Sequence, residues 1–332
     1  MARLTAFSRL LITLLVIGGV YLGVKTFLPQ LKSLAGESTS EPSASVVETP
    51  KASAPKSEPW GKGSAPVAFN YTPPVPLSGA LKGVVELGAT GFNSFIIRVD
   101  DRKNWKLEKA EYGASLVYEK LATDEDIRKG LKSYIADMLA YGVKPRDIHF
   151  VISSGAKKVA ITETISRELK SMGYVVNEVS PEREARLALR SCLPDAYASR
   201  AFVVDIGSGN TKLSWKEGGR IVGIELPGAK YRQLGQSDDA VYSEVKAKAA
   251  QVPSNLRGTC FIIGGVPYEL ARQTRNGKER YTVLKSPSAY TPEGDKQAGG
   301  LNIYKAIADA TGCRQFVFDW DANFTIGFLL EL

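Results

Sequence analysis

The 332-residue chain contains one histidine, His149, and three cysteines, Cys192, Cys260 and Cys313, far apart and with no C-x-x-C pair. This scarcity excludes several chemistries. A zinc site or a disulfide framework lacks its ligand spacing, and an odd thiol count leaves at least one cysteine unpaired. A Ser-His-Asp hydrolase would have to be built on His149, which opens a strand-like run with no nucleophile elbow near it. A structural role is the expectation for that residue. Acidic residues are also the minority, 35 Asp and Glu against 43 Lys and Arg, so the net charge is +8. That balance favours anionic partners such as phosphate chains, nucleotides, nucleic acid or acidic lipid. A basic surface with no specific partner stays open beside it.

Long apolar runs are missing but for one. Leu10 to Val24 is almost unbroken, and with Tyr21, Phe27 and Leu28 it approaches the ~20 residues that cross a bilayer. Arg3 and Arg9 precede the run; Lys25 and Lys32 follow it. A cleaved signal peptide is the competing reading. Its small-residue site would be Ser33-Leu34-Ala35, beyond the run and past Pro29. An uncleaved anchor over 1–32, with a transmembrane helix at about 9–28, is therefore expected. The bilayer is then a partner of a single-pass inner- or plasma-membrane protein, and the positive-inside bias sets it N-in and C-out, with an extracytoplasmic domain. Residues 33–80 are rich in Pro, Ala and Ser and lack core-forming periodicity, so they read as a disordered linker.

Periodicity returns after residue 80. Gly83–Leu87 and Asn93–Val99 read as a hairpin. Thr123–Tyr141 reads as a helix capped by Thr123, with Ile127, Leu131, Ile135 and Met138 on one face and Gly142 at its end. Strand Ile148–Ser153, helix Ala160–Met172, strand Tyr174–Val179 and a short helix from Pro181 follow. Further strands are expected at Ala201–Ile206, Thr211–Trp215, Arg220–Glu225, Thr259–Ile263 and Phe316–Phe318. The alternation implies an α/β fold with mixed sheets.

One segment echoes another. Val84-Val85-Glu86-Leu87-Gly88 matches Val203-Val204-Asp205-Ile206-Gly207, about 120 residues later, and each leads through a small or polar turn into another strand. An acid at the end of a buried strand can grip a cation or water, and glycines let turn amides converge on an anion with no Cβ in the way. Two copies suggest duplicated lobes, 81–200 and 201–332, whose turns face one cleft. Two ordinary glycine hairpins are the bland alternative.

Five segments in order carry a resemblance: GVVELGATGFNSFII, VISSGAKK, VSPEREARLAL, VVDIGSGNTKLSW and FIIGGVPYELA. Together they resemble the exopolyphosphatase/guanosine-pentaphosphate phosphohydrolase family of the actin/Hsp70/sugar-kinase superfamily, over roughly residues 82–331. The resemblance implies two RNase H-like, actin-like lobes with a central cleft, and hydrolysis of terminal phosphoanhydrides with a divalent metal. By position it implies that Glu184 prepares the attacking water and that Glu86 and Asp205 hold Mg²⁺. It places phosphate contacts at Gly88, Ala89, Thr90, Lys157, Gly207, Ser208, Gly209, Asn210, Thr211 and Lys212, and at the late turn Gly264 and Gly265.

Two residues depart from the family's pattern. Glu86 replaces an aspartate, and Lys212 stands where the family has a glutamate, exchanging a metal ligand or base for a cation. The family's C-terminal helical domains are also expected to be missing. A phosphohydrolase acting on polyphosphate or a related ligand is the first expectation, and a degenerate polyphosphate or nucleotide sensor is its alternative. An actin-like assembly protein fits the EARL segment poorly. A homodimer is allowed for, and no specific nucleic acid is expected.

Overall fold

The structure, a computed structural model, describes residues 69–88, 91–112, 124–157 and 161–332. The expected anchor, most of the linker, Ala89, Thr90 and the cap Thr123 lie outside the described residues.

Two mixed sheets organise the described chain. The first holds β1 (Ala80–Gly88), β2 (Gly91–Val99), β3 (Trp105–Tyr112), β4 (Ile148–Ile152) and β5 (Val176–Glu178), in the order β3-β2-β1-β4-β5. The second holds β6 (Ala201–Ile206), β7 (Asn210–Glu217), β8 (Arg220–Pro227), β9 (Thr259–Ile263), β10 (Tyr281–Val283) and β11 (Phe316–Asp319), in the order β10-β11-β9-β6-β7-β8. Each sheet is an antiparallel three-strand meander whose first strand, β1 or β6, pairs in parallel with a later one, β4 or β9. This repeated connectivity puts Glu86 and Asp205 at matching places, each near the end of a strand flanked on both sides.

Seven helices complete the described chain: α1 (Asp124–Tyr141), α2 (Ile161–Ser171), α3 (Pro181–Cys192), α4 (Asp238–Ala249), α5 (Gly265–Arg272), α6 (Gly294–Thr311) and α7 (Phe324–Glu331). The period-2 alternation of the strands sorts them into layers. Val85 and Leu87 of β1 face outward, where Ile127, Leu131 and Met138 of α1 and Leu169 of α2 cover them. Phe202 and Val204 of β6 face outward against Val241 and Val245 of α4 and Ile303 and Ile307 of α6. The inner faces, with Val84 and Val203, share a third core with Leu187 and Leu189 of α3 and Ile326 and Leu329 of α7. Glu86 and Asp205 alternate with the outward residues and so fall on these inner faces.

The middle layer depends on close helix packing. Ser180 caps α3 by accepting the Arg183 amide at 3.2 Å, and Pro181 occupies the first turn, where a missing N–H leaves no hydrogen bond unmade. Asn323 caps α7 by accepting the Thr325 amide at 2.8 Å. The two helices meet where Gly327 leaves no room for a Cβ, which would collide with the Leu187 carbonyl.

Two expectations change. Phe69, inside the stretch expected as linker, packs on Tyr197, Phe261 and Tyr281 with ring centroids 5.3, 5.6 and 5.1 Å apart. The docked chain thus begins no later than Phe69, because aromatic residues give that stretch a surface to bury. The membrane placement is also corrected. Among the described residues no helix is long and apolar enough to cross a membrane. The longest two, α1 and α6, have 18 residues each and interleave polar with apolar positions. The expected span at 9–28 lies outside the described residues, so no described element supports a single-pass, C-out placement.

The close α3–α7 crossing makes a prediction. Gly327→Ala forces backbone apart in the middle layer, at an expected loss of roughly 2–4 kcal/mol. Urea denaturation of this variant against wild type measures it.

Candidate functional site

The inner ends of both sheets open on one cleft of about 340 Å³. Its lining includes Glu86, Gly88, Glu184, Asp205, Gly207, Ser208, Gly209, Asn210, Lys212, Gly264 and Gly265. Residues more than 170 positions apart in the chain thus meet at one place.

Glu86 sits on β1 directly across from Asn93 of β2. The Asn93 amide donates to Glu86 Oε2 at 2.9 Å, and Asn323, the α7 cap, donates to the same oxygen at 3.0 Å. Burial pushes the Glu86 carboxyl up to about 7, against the Asn93 and Asn323 amides, which favour its ionised form. Asp205 of β6 is buried with no side-chain partner of this kind among the described residues; burial pushes it up to about 6, moderated by the Lys212 ammonium.

Glu184 lies in the first turn of α3, 1% exposed. Its Oε2 accepts the Ser154 amide at 2.8 Å and the Ser154 hydroxyl at 2.5 Å, both just past β4. Its Oε1 accepts from the Lys212 ammonium of β7, in a pair whose side chains are only 2% and 4% exposed. Lys212 is the cross-strand neighbour of Asp205. Burial pulls the Lys212 ammonium down, but Glu184 and Asp205 outweigh that and hold it above its ordinary value. Asn210, also on β7, donates to the Ser154 hydroxyl at 2.9 Å and to Glu225 at 2.6 Å.

The glycine turns are shaped by close approach. At Gly264, φ is +107°, and a Cβ there would meet the Ile206 carbonyl and come within 2.9 Å of Asp205 Oδ1. The β6–β7 turn is pinned from outside: Ala229 and Lys230 amides donate to the Gly207 and Ser208 carbonyls at 2.9 and 3.0 Å. The turn's carbonyls are therefore occupied, while the Ser208 and Gly209 amides make no hydrogen bond to the protein among the described residues. Such amides suit an anion.

Two expected phosphate contacts lie elsewhere. Lys157 forms an ion pair with Glu178 at 3.1 Å and lines a separate depression beside α2. Thr211 alternates with Asn210 and Lys212 along β7, so its side chain points to the opposite face, fully buried and with its hydroxyl unpartnered. His149 packs edge-on to Phe328, ring centroids 5.8 Å apart, and is not part of the cleft.

Sequence reasoning passed over Ser154, Asn93 and Asn323, the residues that hold the two glutamates. Asn323 had a local signal, an asparagine just before the apolar run of α7. The others had none, since ordinary strand-end polar residues acquire this role only by contact. An aromatic rim of Tyr112, Tyr268 and Trp320 was also not foreseen; Tyr268 lies 5.8 Å from Tyr112 and 5.4 Å from Trp320 between ring centroids.

Comparison with known proteins places this architecture. No family model matches the sequence, and a search of curated proteins returns no match. Solved structures do match. The Aquifex aeolicus PPX-GPPA enzyme superposes with a TM-score of 0.59 at 18% identity, over 76% of this chain and 99% of its own. An exopolyphosphatase from Cytophaga hutchinsonii ATCC 33406 gives a TM-score of 0.59 at 15% identity, over 76% and 98%. A second structure of an Aquifex aeolicus Ppx/GppA family member gives 0.57 at 17%, over 76% and 97%. The chain has the fold of the Ppx/GppA phosphatases. The two-sheet, actin-like α/β expectation is thereby met for the described residues.

The fold raises the question of Mg²⁺ at Glu86 and Asp205, and the donor set answers against it. Glu86 Oε2 takes two amide donors. Both Glu184 oxygens are taken, one of them by an ammonium. Among the described residues Glu86 Oε1 and Asp205 have no such partner, and Asp205 stands beside Lys212. A dication about 4 Å from that ammonium would be opposed by roughly 8 kcal/mol at an effective dielectric near 20. Among the described residues no group of three or more His, Cys, Asp and Glu side chains is arranged to hold a metal ion. These residues do not fit a resident divalent cation.

The raised Glu86 pKa predicts a pH-dependent stability. Its folded value, about 7, lies above the ordinary 4.5, so the fold binds the extra proton and stability falls as pH rises from 4.5 to 7. A shift of this size carries about 3 kcal/mol, discounted here because solvent reaches the carboxylate. Glu86→Gln should therefore be more stable than wild type by about 1–2 kcal/mol at pH 8 and indistinguishable near pH 4. Urea unfolding at the two pH values checks this.

Proposed function

We propose that the cleft binds the terminal phosphates of a polyphosphorylated ligand, polyphosphate or a nucleoside polyphosphate. The observation that carries this reading is the buried Lys212 ammonium beneath the Gly207-Ser208-Gly209 turn. An internal cation under open backbone amides is an arrangement that a phosphoryl group can satisfy and that a neutral ligand cannot. The names of the solved neighbours, exopolyphosphatase and Ppx/GppA phosphatase, support the same ligand class.

Hydrolysis of the terminal phosphoanhydride is the second reading, and the placement of Glu184 favours it. This carboxylate lies between the two turns, oriented by Ser154. In the unliganded cleft its Oε1 is bound to the Lys212 ammonium. A phosphate that draws the ammonium away would free Glu184 to take a proton from water. The binding reading comes first because it needs no such exchange.

Sodium tripolyphosphate at about 100 times its dissociation constant should raise the melting temperature by about 5 °C or more. No shift with tripolyphosphate, long-chain polyphosphate or a nucleoside triphosphate would sink the binding reading. Phosphate release from the same ligands tests the second: if it occurs, Glu184→Gln should lower the rate at least ~100-fold while binding persists.

A further inference from the structure

We propose that Lys212 is the resident cation of this cleft, so that phosphate anions bind here without a divalent metal. The inference rests on the phosphate-binding reading above and adds what neutralises the ligand.

Three observations converge on it. First, the ammonium sits between two acids of the cleft. Its side chain comes from β7 directly opposite Asp205 and ends on Glu184 Oε1. Second, the charge is built into the chain: the lysine supplies +1 among Glu86, Glu184 and Asp205, which line the same cleft. Third, the charge lies directly beneath the turn: a Cβ on Gly207 would stand 3.7 Å from Lys212 Nζ.

The other cation lining the cleft is placed differently. Lys296 is bound to Glu269 at 2.9 Å near the Gly265 turn and is a third exposed. It can help with a second phosphate, but a partly solvated lysine does not replace a buried charge. A tethered cation also does not dissociate. Affinity should therefore be indifferent to chelators, unlike that of a site whose charge is a bound metal.

Calorimetry of the full chain with sodium tripolyphosphate, in EDTA and then with Mg²⁺, reads the proposal directly. Tripolyphosphate is expected to bind in EDTA, no less tightly than with Mg²⁺, and Mn²⁺ electron paramagnetic resonance shows no Mn²⁺ taken up by the ligand-free protein. Binding at least ~10-fold tighter with Mg²⁺ than in EDTA, or uptake of Mn²⁺ by the wild type, overturns the proposal and leaves the phosphate-binding reading standing. Absence of binding in both conditions overturns both.

Two variants extend the test. Lys212→Met combined with Glu184→Gln removes both members of the buried ion pair and should lose at least ~10-fold in tripolyphosphate affinity in EDTA. Unchanged affinity in this double variant would overturn the proposal. Lys212→Glu should lose binding in EDTA and regain it with Mn²⁺, now taken up by the protein. The wild-type titrations stand whether or not these variants fold.

Discussion

The contact on which this protein turns is the hold on Glu184. One of its oxygens is bound to Ser154, at the end of β4 in the first sheet; the other is bound to Lys212, on β7 of the second. The carboxylate sits on α3, in the layer between the sheets. A single side chain thus ties both lobes to the helix that separates them. Asn210 doubles the tie by donating to the same Ser154 hydroxyl. Such a buried ion pair adds little net stability, because removing two charges from water offsets most of their attraction. Losing one partner is a different matter: the remaining charge is stranded, at about 3–5 kcal/mol. The pair therefore fixes geometry more than it stabilises the fold.

From that hold the rest of the cleft follows. Lys212 can remain charged in a buried position because Glu184 and Asp205 surround it. Asp205 needs no hydrogen-bonding amide because the same ammonium stands opposite. Glu86, further from Lys212, depends instead on the amides of Asn93 and Asn323. The matched acids are therefore not equivalent in their surroundings. One belongs to an ionic cluster, the other to a neutral hydrogen-bonded one, and the second links the cleft to the start of α7. The glycine turns complete the site: Gly264 comes so near the end of β6 that any side chain would strike its backbone.

A divalent ion and a buried ammonium compete for the same role, the offset of converging carboxylates. With the ammonium covalently attached, the effective concentration of that cation is permanent. Likeness of fold and likeness of mechanism are separate matters, because function resides in a site grafted on the fold.

Much was already present in the linear order of residues. The paired strand-acid-glycine segments pointed to the two-sheet architecture, because period-2 alternation and local turn chemistry act between neighbours in the chain. The face of α1 marked by Ile127, Leu131, Ile135 and Met138 is buried as its spacing required. Lys212 was visible as an anomaly at the second turn. Its partner was not. That Ser154, Glu184, Asn210 and Lys212 form one network, that Thr211 turns away, and that Lys157 belongs to Glu178 were decided only by tertiary structure. The physical reason is that strand alternation and helix spacing are local, whereas an ion pair is fixed by which strand ends and helix turns the packing of two sheets brings within hydrogen-bonding reach.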